Sequence, residues 1–264
     1  MQRMTTLPRL DNPSRLAIFV DFDGTLVEIA ERPERVVLAA RTRAALAALD
    51  VATGGAVAIV TGRDIVTVDG FLAPLRLPVA GVHGLTRRDA SGHTRAPVDT
   101  SLALAQVAEL LAPLLRQAPE LLAERKSAAI ALHYRARPDL EGACIATMRA
   151  IVSLLPELHI KTGKMVVEVK LGSADKGTAV REFMQEEPFA GRQPFFAGDD
   201  VTDEDAFAVV NAMSGTTIKI GHGPSLAAWR ASTTVEFLDW LYALAEQLSM
   251  QRTDHHANQR SGKP

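Results

Sequence analysis

The chain nearly lacks cysteine. Cys144 stands alone among 264 residues, so no internal disulfide can form, and a reducing compartment suits it. The length makes cross-links unnecessary, because a chain of this size can bury an ample core. Charge of one sign is not in excess either. The formal net charge is −2, so no broad basic field invites nucleic acid or acidic lipid. No apolar run reaches the roughly 18 residues of a membrane helix. The opening stretch, residues 1–15, has no apolar signal core. No internal repeat is found. These absences lead us to expect a cytoplasmic, monomeric enzyme or binding protein, without nucleic-acid or membrane partners. The polar end, residues 251–264, carries adjacent His255 and His256. They could hold a metal, but a solvated tail is the simpler reading.

What is present is a rhythm. Buried-looking strands at 15–20, 56–60 and within 77–84 alternate with an alanine-rich helix pattern at 39–51. This is the β-α-β order of a parallel sheet with helices on both faces. The rhythm then changes. A helix at 100–119 contains Pro113, which should kink it. The stretch 127–135 alternates like a half-exposed strand, with Ala129, Ala131 and His133 on one face and Ile130, Leu132 and Tyr134 on the other. A helix at 141–156 and strands at 158–163 and 164–171 follow, the pattern of a small antiparallel sheet with helices on one side. After Gly172 the first rhythm resumes: helix 175–187, strand 193–198, helix 202–213, strand 216–221, and helices from Ser225 to about Met250. The expected fold class is α/β, a Rossmann-like parallel-sheet core (1–83 and 169–264) with an inserted α+β cap domain (84–168).

Two acidic groups follow core strands. Asp21 and Asp23 lie two apart after the first, and Gly24 and Thr25 allow a sharp hydrogen-bonded turn. Asp199, Asp200 and Asp203 follow a later strand. In a parallel sheet the strand C-termini gather into one crevice where ligands bind, so the five carboxylates should converge. Such crowding needs a cation, and oxygen-only ligands favour a hard one such as Mg²⁺. Taken singly, each motif has a plainer reading: Asp-Gly marks many turns, and Thr202 with Asp205 could form a capping box. Those readings do not explain two matching acidic sets after two apolar strands.

Thr61, Gly62 and Arg63 end another strand, where a hydroxyl and backbone N–H groups can hold a phosphate oxygen; a simple strand-to-loop turn is the alternative. Lys176 lies near a helix start and opposes the macrodipole, while Asp175 already offers a cap. A role beside a nucleophile and a phosphate explains that placement, and a solvated surface lysine is the alternative.

"DFDGTL" at 21–26, "TGR" at 61–63, Lys176 in "DKG" and "GDDVTDEDAF" at 198–207 occur in the order of the haloacid dehalogenase-like phosphatases, which this sequence resembles over all but its ends. With "GVHG", "ERK", "HYR" and "GKMVVEVK", it is similar to the trehalose-6-phosphate phosphatases in particular. The resemblance implies the last step of trehalose biosynthesis, with Asp21 as nucleophile forming an aspartyl-phosphate. Asp23 would be acid and then base, and Thr61 and Lys176 would bind the phosphoryl group. Asp21, the Asp23 backbone carbonyl and Asp199 would hold Mg²⁺, with Asp200 and Asp203 in support. It further implies that Gly62, Arg63, His83, Gly84, Glu124, Lys126, Lys164 and Glu168 bind substrate. Another sugar-phosphate phosphatase or a phosphohexomutase on the same core is the enzyme alternative, and a catalytically dead sugar-phosphate sensor the non-enzyme one.

Overall fold

The computed structural model describes residues 7–10, 15–29, 36–96 and 101–261, with 251–261 by backbone alone. Strand β1 (Leu16–Val20) is buried throughout. Its pleat sends Leu16, Ile18 and Val20 to one side and Ala17 and Phe19 to the other. The first set packs with α1 (Ala40–Ala52) and α7 (Thr234–Ser261). The second packs with α5 (Lys176–Phe183) and α6 (Glu204–Ala212), where the Phe19 and Phe189 rings stack at 5.3 Å. A strand covered on both faces must be apolar at every position, which is why its sequence is a continuous run. Each such Ile or Phe contributes about 1.5–3 kcal/mol by burial.

The other strands of this sheet are β2 (Val57–Val60), β3 (Val79–Gly81), β4 (Thr86–Arg88), β5 (Thr94–Arg95), β10 (Gln193–Gly198), β11 (Thr216–Ile220) and β12 (Trp229–Ala231). Their order is β12-β11-β10-β1-β2-β3-β4-β5. The pairings from β12 to β3 are parallel, and β4 and β5 are added antiparallel. Helix α2 (Ile65–Leu72) follows β2.

A second sheet, β6 (Leu122–Arg125), β7 (Ala129–His133), β9 (Val166–Leu171) and β8 (Leu158–Gly163) in that order, is antiparallel throughout. Helices α3 (Ser101–Gln117) and α4 (Glu141–Leu154) cover one face and share a core with Ile130, Leu132, Val167 and Val169. The register sets Glu124, Ala131, Glu168 and Lys161 in one row on the opposite face.

Three expectations need correcting. The second sheet does not take over at residue 84: β4 and β5 extend the first sheet. Arg87 and Arg88 look like surface charges in the sequence, yet both are buried, paired with Glu186 and Asp69 at 2.6 Å. Strand β7 is not half exposed, because Ala129 and Ala131 are as buried as Ile130 and Leu132. On their face of the strand, Ala129 and Ala131 stand beside Lys170 and Glu168 of β9, both buried. Finally, β12 precedes a single long helix where helices alone were expected. Helix α3 contains Pro113 in its interior as one element. His255 and His256 lie in α7 by backbone, with their side chains outside the described residues.

Candidate active site

Asp21 follows the last residue of β1, Thr61 the last of β2, and Asp199 the last of β10, so three neighbouring strands deliver them to one edge. The Asp21 N–H donates to Ala197 O at 2.9 Å, and the Thr61 N–H to Ala80 O at 2.8 Å, so the ladder fixes both. Gly24 turns the chain with φ +80°, and a Cβ there would collide with the Asp199 carboxylate. Only glycine admits that approach.

Lys176 begins α5, whose cap is the Asp175 carboxylate accepting from the Thr178 N–H at 2.6 Å. The lysine is buried, and its Nζ donates to Asp21 Oδ1 and to Asp203 Oδ1, each at 2.7 Å. Burial works against its charge, but Asp203 and Asp21 outweigh that and hold the ammonium above the usual lysine range. A surface lysine is therefore excluded.

Of the five acids, three converge. Carboxylate oxygens of Asp21, Asp199 and Asp203 lie within 4.8 Å of one another. Both Asp203 oxygens are engaged, one by Lys176 and one by the Asp200 N–H at 2.9 Å. Burial raises Asp21 well above the ordinary carboxylate range; Lys176 opposes this, and Asp203 and Asp199 add to it. Asp199 is pushed up to about 7, by burial first and then by Asp203 and Asp200. The Asp200 carboxylate instead turns to the Val201 N–H at 2.7 Å, in a capping box with Asp203, rather than the Thr202–Asp205 box the sequence suggested. Asp23 is drawn sideways: Arg63 grips it with Nε–Oδ2 and Nη2–Oδ1 both at 2.7 Å. The Arg63 guanidinium lies 5.5 Å from the Phe22 ring centroid and 5.1 Å from that of Phe71.

A cavity of about 450 Å³ joins this edge to the second sheet. Asp21, Asp23, Thr61, Gly62, Arg63, His83, Lys176, Asp199 and Asp200 line it from the core, and Glu124, Lys126, Lys164 and Glu168 from the second sheet. Gly84 and Asp203 are not on its wall. Lys126 Nζ donates to Glu168 Oε2 at 2.5 Å and to Gly62 O at 2.8 Å. Burial disfavours the Lys126 charge, yet Glu168 and Glu124 keep it above the usual lysine range. Lys164 is exposed at the β8–β9 turn. Glu124 Oε2 meets His133 Nε2 at 2.8 Å, and that hydrogen bond holds Glu124 below the usual carboxylate range.

His133 and Lys161 also line the cavity but were not singled out as site residues. The signal was available. His133 shares the period-two face of Ala129 and Ala131, and Lys161 lies opposite Glu168. Lys161 pairs with Asp205 across the two units, as does Ser127 with Asp64, where Ser127 Oγ–Asp64 Oδ1 is 2.5 Å.

The family model described as Trehalose-phosphatase matches residues 19–248. The chain belongs to the trehalose-phosphatase family. Membership makes it a phosphatase with the mixed α/β, capped architecture of the haloacid dehalogenase-like hydrolases. It is 38% identical over 255 residues to a trehalose-6-phosphate phosphatase of Escherichia coli K12, covering 97% of this chain and 95% of that one. A solved "trehalose-6-phosphate phosphatase related protein" superposes with a TM-score of 0.75 at 26% identity, over 90% of this chain and 99% of the other. A haloacid dehalogenase-like hydrolase from B. subtilis shares the fold alone, with a TM-score of 0.61 at 15% identity over 89% and 98% of the two chains. For this trehalose-phosphatase family member, among the described residues, no helix is long and apolar enough to cross a membrane.

Proposed function

We propose that this phosphatase hydrolyses trehalose 6-phosphate to trehalose and phosphate, with Mg²⁺ and through an aspartyl-phosphate on Asp21. The observation that carries the reading is one cavity that joins a buried Asp21–Lys176 pair to a sheet face bearing Glu124, Lys126 and Glu168. The donor set suits a hard cation: all-oxygen, crowded, buried, and with Asp21 and Asp199 both raised. Asp21, the Asp23 backbone carbonyl and Asp199 would hold it. When bound, it supplies the positive charge that lets these carboxylates ionise and that balances the transferring phosphoryl group.

Asp21 attacks phosphorus, and the bond to the sugar oxygen breaks. Asp23 gives that oxygen its proton, because a sugar alkoxide leaves poorly, a contribution typically worth ~10²–10⁴-fold. Asp23 then takes a proton from the water that cleaves the aspartyl-phosphate, so one hard step becomes two easier ones. Lys176 and Thr61 face the phosphoryl oxygens, and phosphoryl transfer asks mainly for such positioning. Gly62 and Arg63 line the phosphate end of the cavity, His83 lies beside them where the core meets the cap, and Gly84 packs behind the wall against Asp175. Glu124, Lys126, Lys164 and Glu168 offer acceptors and donors to sugar hydroxyls. A pocket of that kind rejects ligands without hydroxyls, since its own polar groups are then unpaired. The single cysteine suits a cytoplasmic site of action.

Phosphate release from a panel of sugar phosphates, with Mg²⁺ present and after chelation, tests this. Trehalose 6-phosphate should lead the panel and free trehalose should be the product. Equal rates across the panel would overturn the substrate, and an isomerised phosphoester as product would make the chain a mutase.

A further inference from the structure

His83 sits where the core meets the cap. Val82 and His83 both have positive φ, 48° and 53°. That is strained for a β-branched residue and uncommon for histidine. The turn is held by the His83 N–H donating to Thr61 O at 2.9 Å and the Val82 N–H to Arg63 O at 3.1 Å. It lays the imidazole on Gly62, where a Cβ would stand 2.7 Å from Nε2. From the cap, Lys126 reaches Gly62 O, and Glu168 Oε1 comes to 3.4 Å from His83 Nε2. His83 Nδ1 and Glu168 Oε1 are buried without a hydrogen-bond partner among the described residues.

We propose that His83 is a positioning residue, the core-side seat that receives the Lys126–Glu168 pair as the cap closes and so fixes where Glu168 Oε1 meets a sugar hydroxyl. The inference rests on the sugar-phosphate reading above. Lys126 pins one Glu168 oxygen and the imidazole walls the other, so the free acceptor has a single place to point. Strained backbone persists only where its surroundings over-determine it. Here the missing Cβ of Gly62 and two backbone hydrogen bonds do that.

The seat has a charge requirement. Burial, then Lys126, Lys176 on α5, Lys170 on β9 and Lys161 on β8, hold His83 well below the ordinary 6.5, with Glu168 the facing anion. Opening the cap would take away Lys126, Lys170, Lys161 and part of the burial, which relieves that depression. The open form therefore binds a proton more readily than the closed form, and closure weakens as pH falls.

The test compares kcat/KM for trehalose 6-phosphate and for a small aryl phosphate in wild type, His83→Gln and His83→Ala. His83→Ala should lose about 10²-fold on the sugar ester, the cost of a misplaced group of this kind, and at least about tenfold less on the aryl ester. His83→Gln should recover part of the loss and should lack the acid rise in the sugar-to-aryl KM ratio expected of wild type. Equal losses on both esters, or a sugar-to-aryl KM ratio that still rises in acid in His83→Gln, overturns the proposal. If neither variant folds, wild type decides: a sugar-to-aryl KM ratio flat between about pH 5 and 8 overturns it. A wild-type chain that hydrolyses no sugar phosphate instead removes the substrate reading beneath it.

Discussion

The carboxylate–lysine edge of the core and the facing sheet of the cap hold their polar groups by different means. In the core, each group stands where the backbone changes state: Asp21 at a strand end, Gly24 in a left-handed turn, Lys176 at a helix start, Asp203 in a capping box. Burial then couples them, and Lys176 touches two carboxylates at once. In the cap, Glu124, Glu168 and Lys161 owe their shared face to sheet register alone. Glu124 and Glu168 pair with His133 and Lys126 within the cap, while Lys161 meets Asp205 and Glu168 approaches His83 across the joint between the two units. The core site is thus built from contacts within the core, whereas the cap face draws part of its contacts from the core.

That contrast orders the expected effects. Asp21→Asn should lower turnover on every phosphate ester by more than about 10⁴-fold, as loss of an enzyme nucleophile does, while circular dichroism stays native. Retained turnover would end its role. Chelation should take the activity on sugar and aryl esters alike to background, and Mg²⁺ should restore it; full activity after rigorous chelation would remove the cation. Lys176→Met should destabilise the fold by about 3–5 kcal/mol, because it leaves buried carboxylates unpaired. Asp21, already raised, is then raised further, so the folded state binds the extra proton. The cost should be largest near about pH 8 and shrink toward about pH 5, read by denaturant unfolding. The same pH trend reversed would mean the triad is not electrostatically coupled. Lys161→Ala should be the mildest. Its partly exposed pair with Asp205 is worth about 0–1 kcal/mol, and the melting temperature should hardly move while sugar-ester KM rises a little.

The same contrast explains what could be read from the chain. Asp21, Asp23, Lys176 and the 199–203 acids sit in short motifs beside apolar strands, so local pattern exposed them. The β1, β2 and β10 runs were legible because strands buried on both faces are apolar throughout. Hidden were features that depend on distant partners. Buried Arg87 and Arg88 look like surface charges until Glu186 and Asp69 are seen, which concealed the two antiparallel strands of the core sheet. Ala129 and Ala131 are buried on a face they share with Glu124, Glu168 and Lys170, neighbours that only the sheet register reveals. Arg63 reaches Asp23 across 40 positions, a pairing no spacing announces. His133 and Lys161 needed the register of the second sheet before their place in the cavity became visible.

The division of labour between the two units turns on a ratio. It is kcat/KM for trehalose 6-phosphate over that for a small aryl phosphate, compared between wild type and Glu124→Ala with Mg²⁺ saturating. Glu124 lies 2.8 Å from His133 on the cap wall and touches none of the core carboxylates. The ratio should collapse by about 10²-fold or more in the variant if, as proposed, Glu124 binds a sugar hydroxyl that the aryl ester lacks. An unchanged ratio, with both values falling together, would mean that the cap supports closure without selecting the sugar.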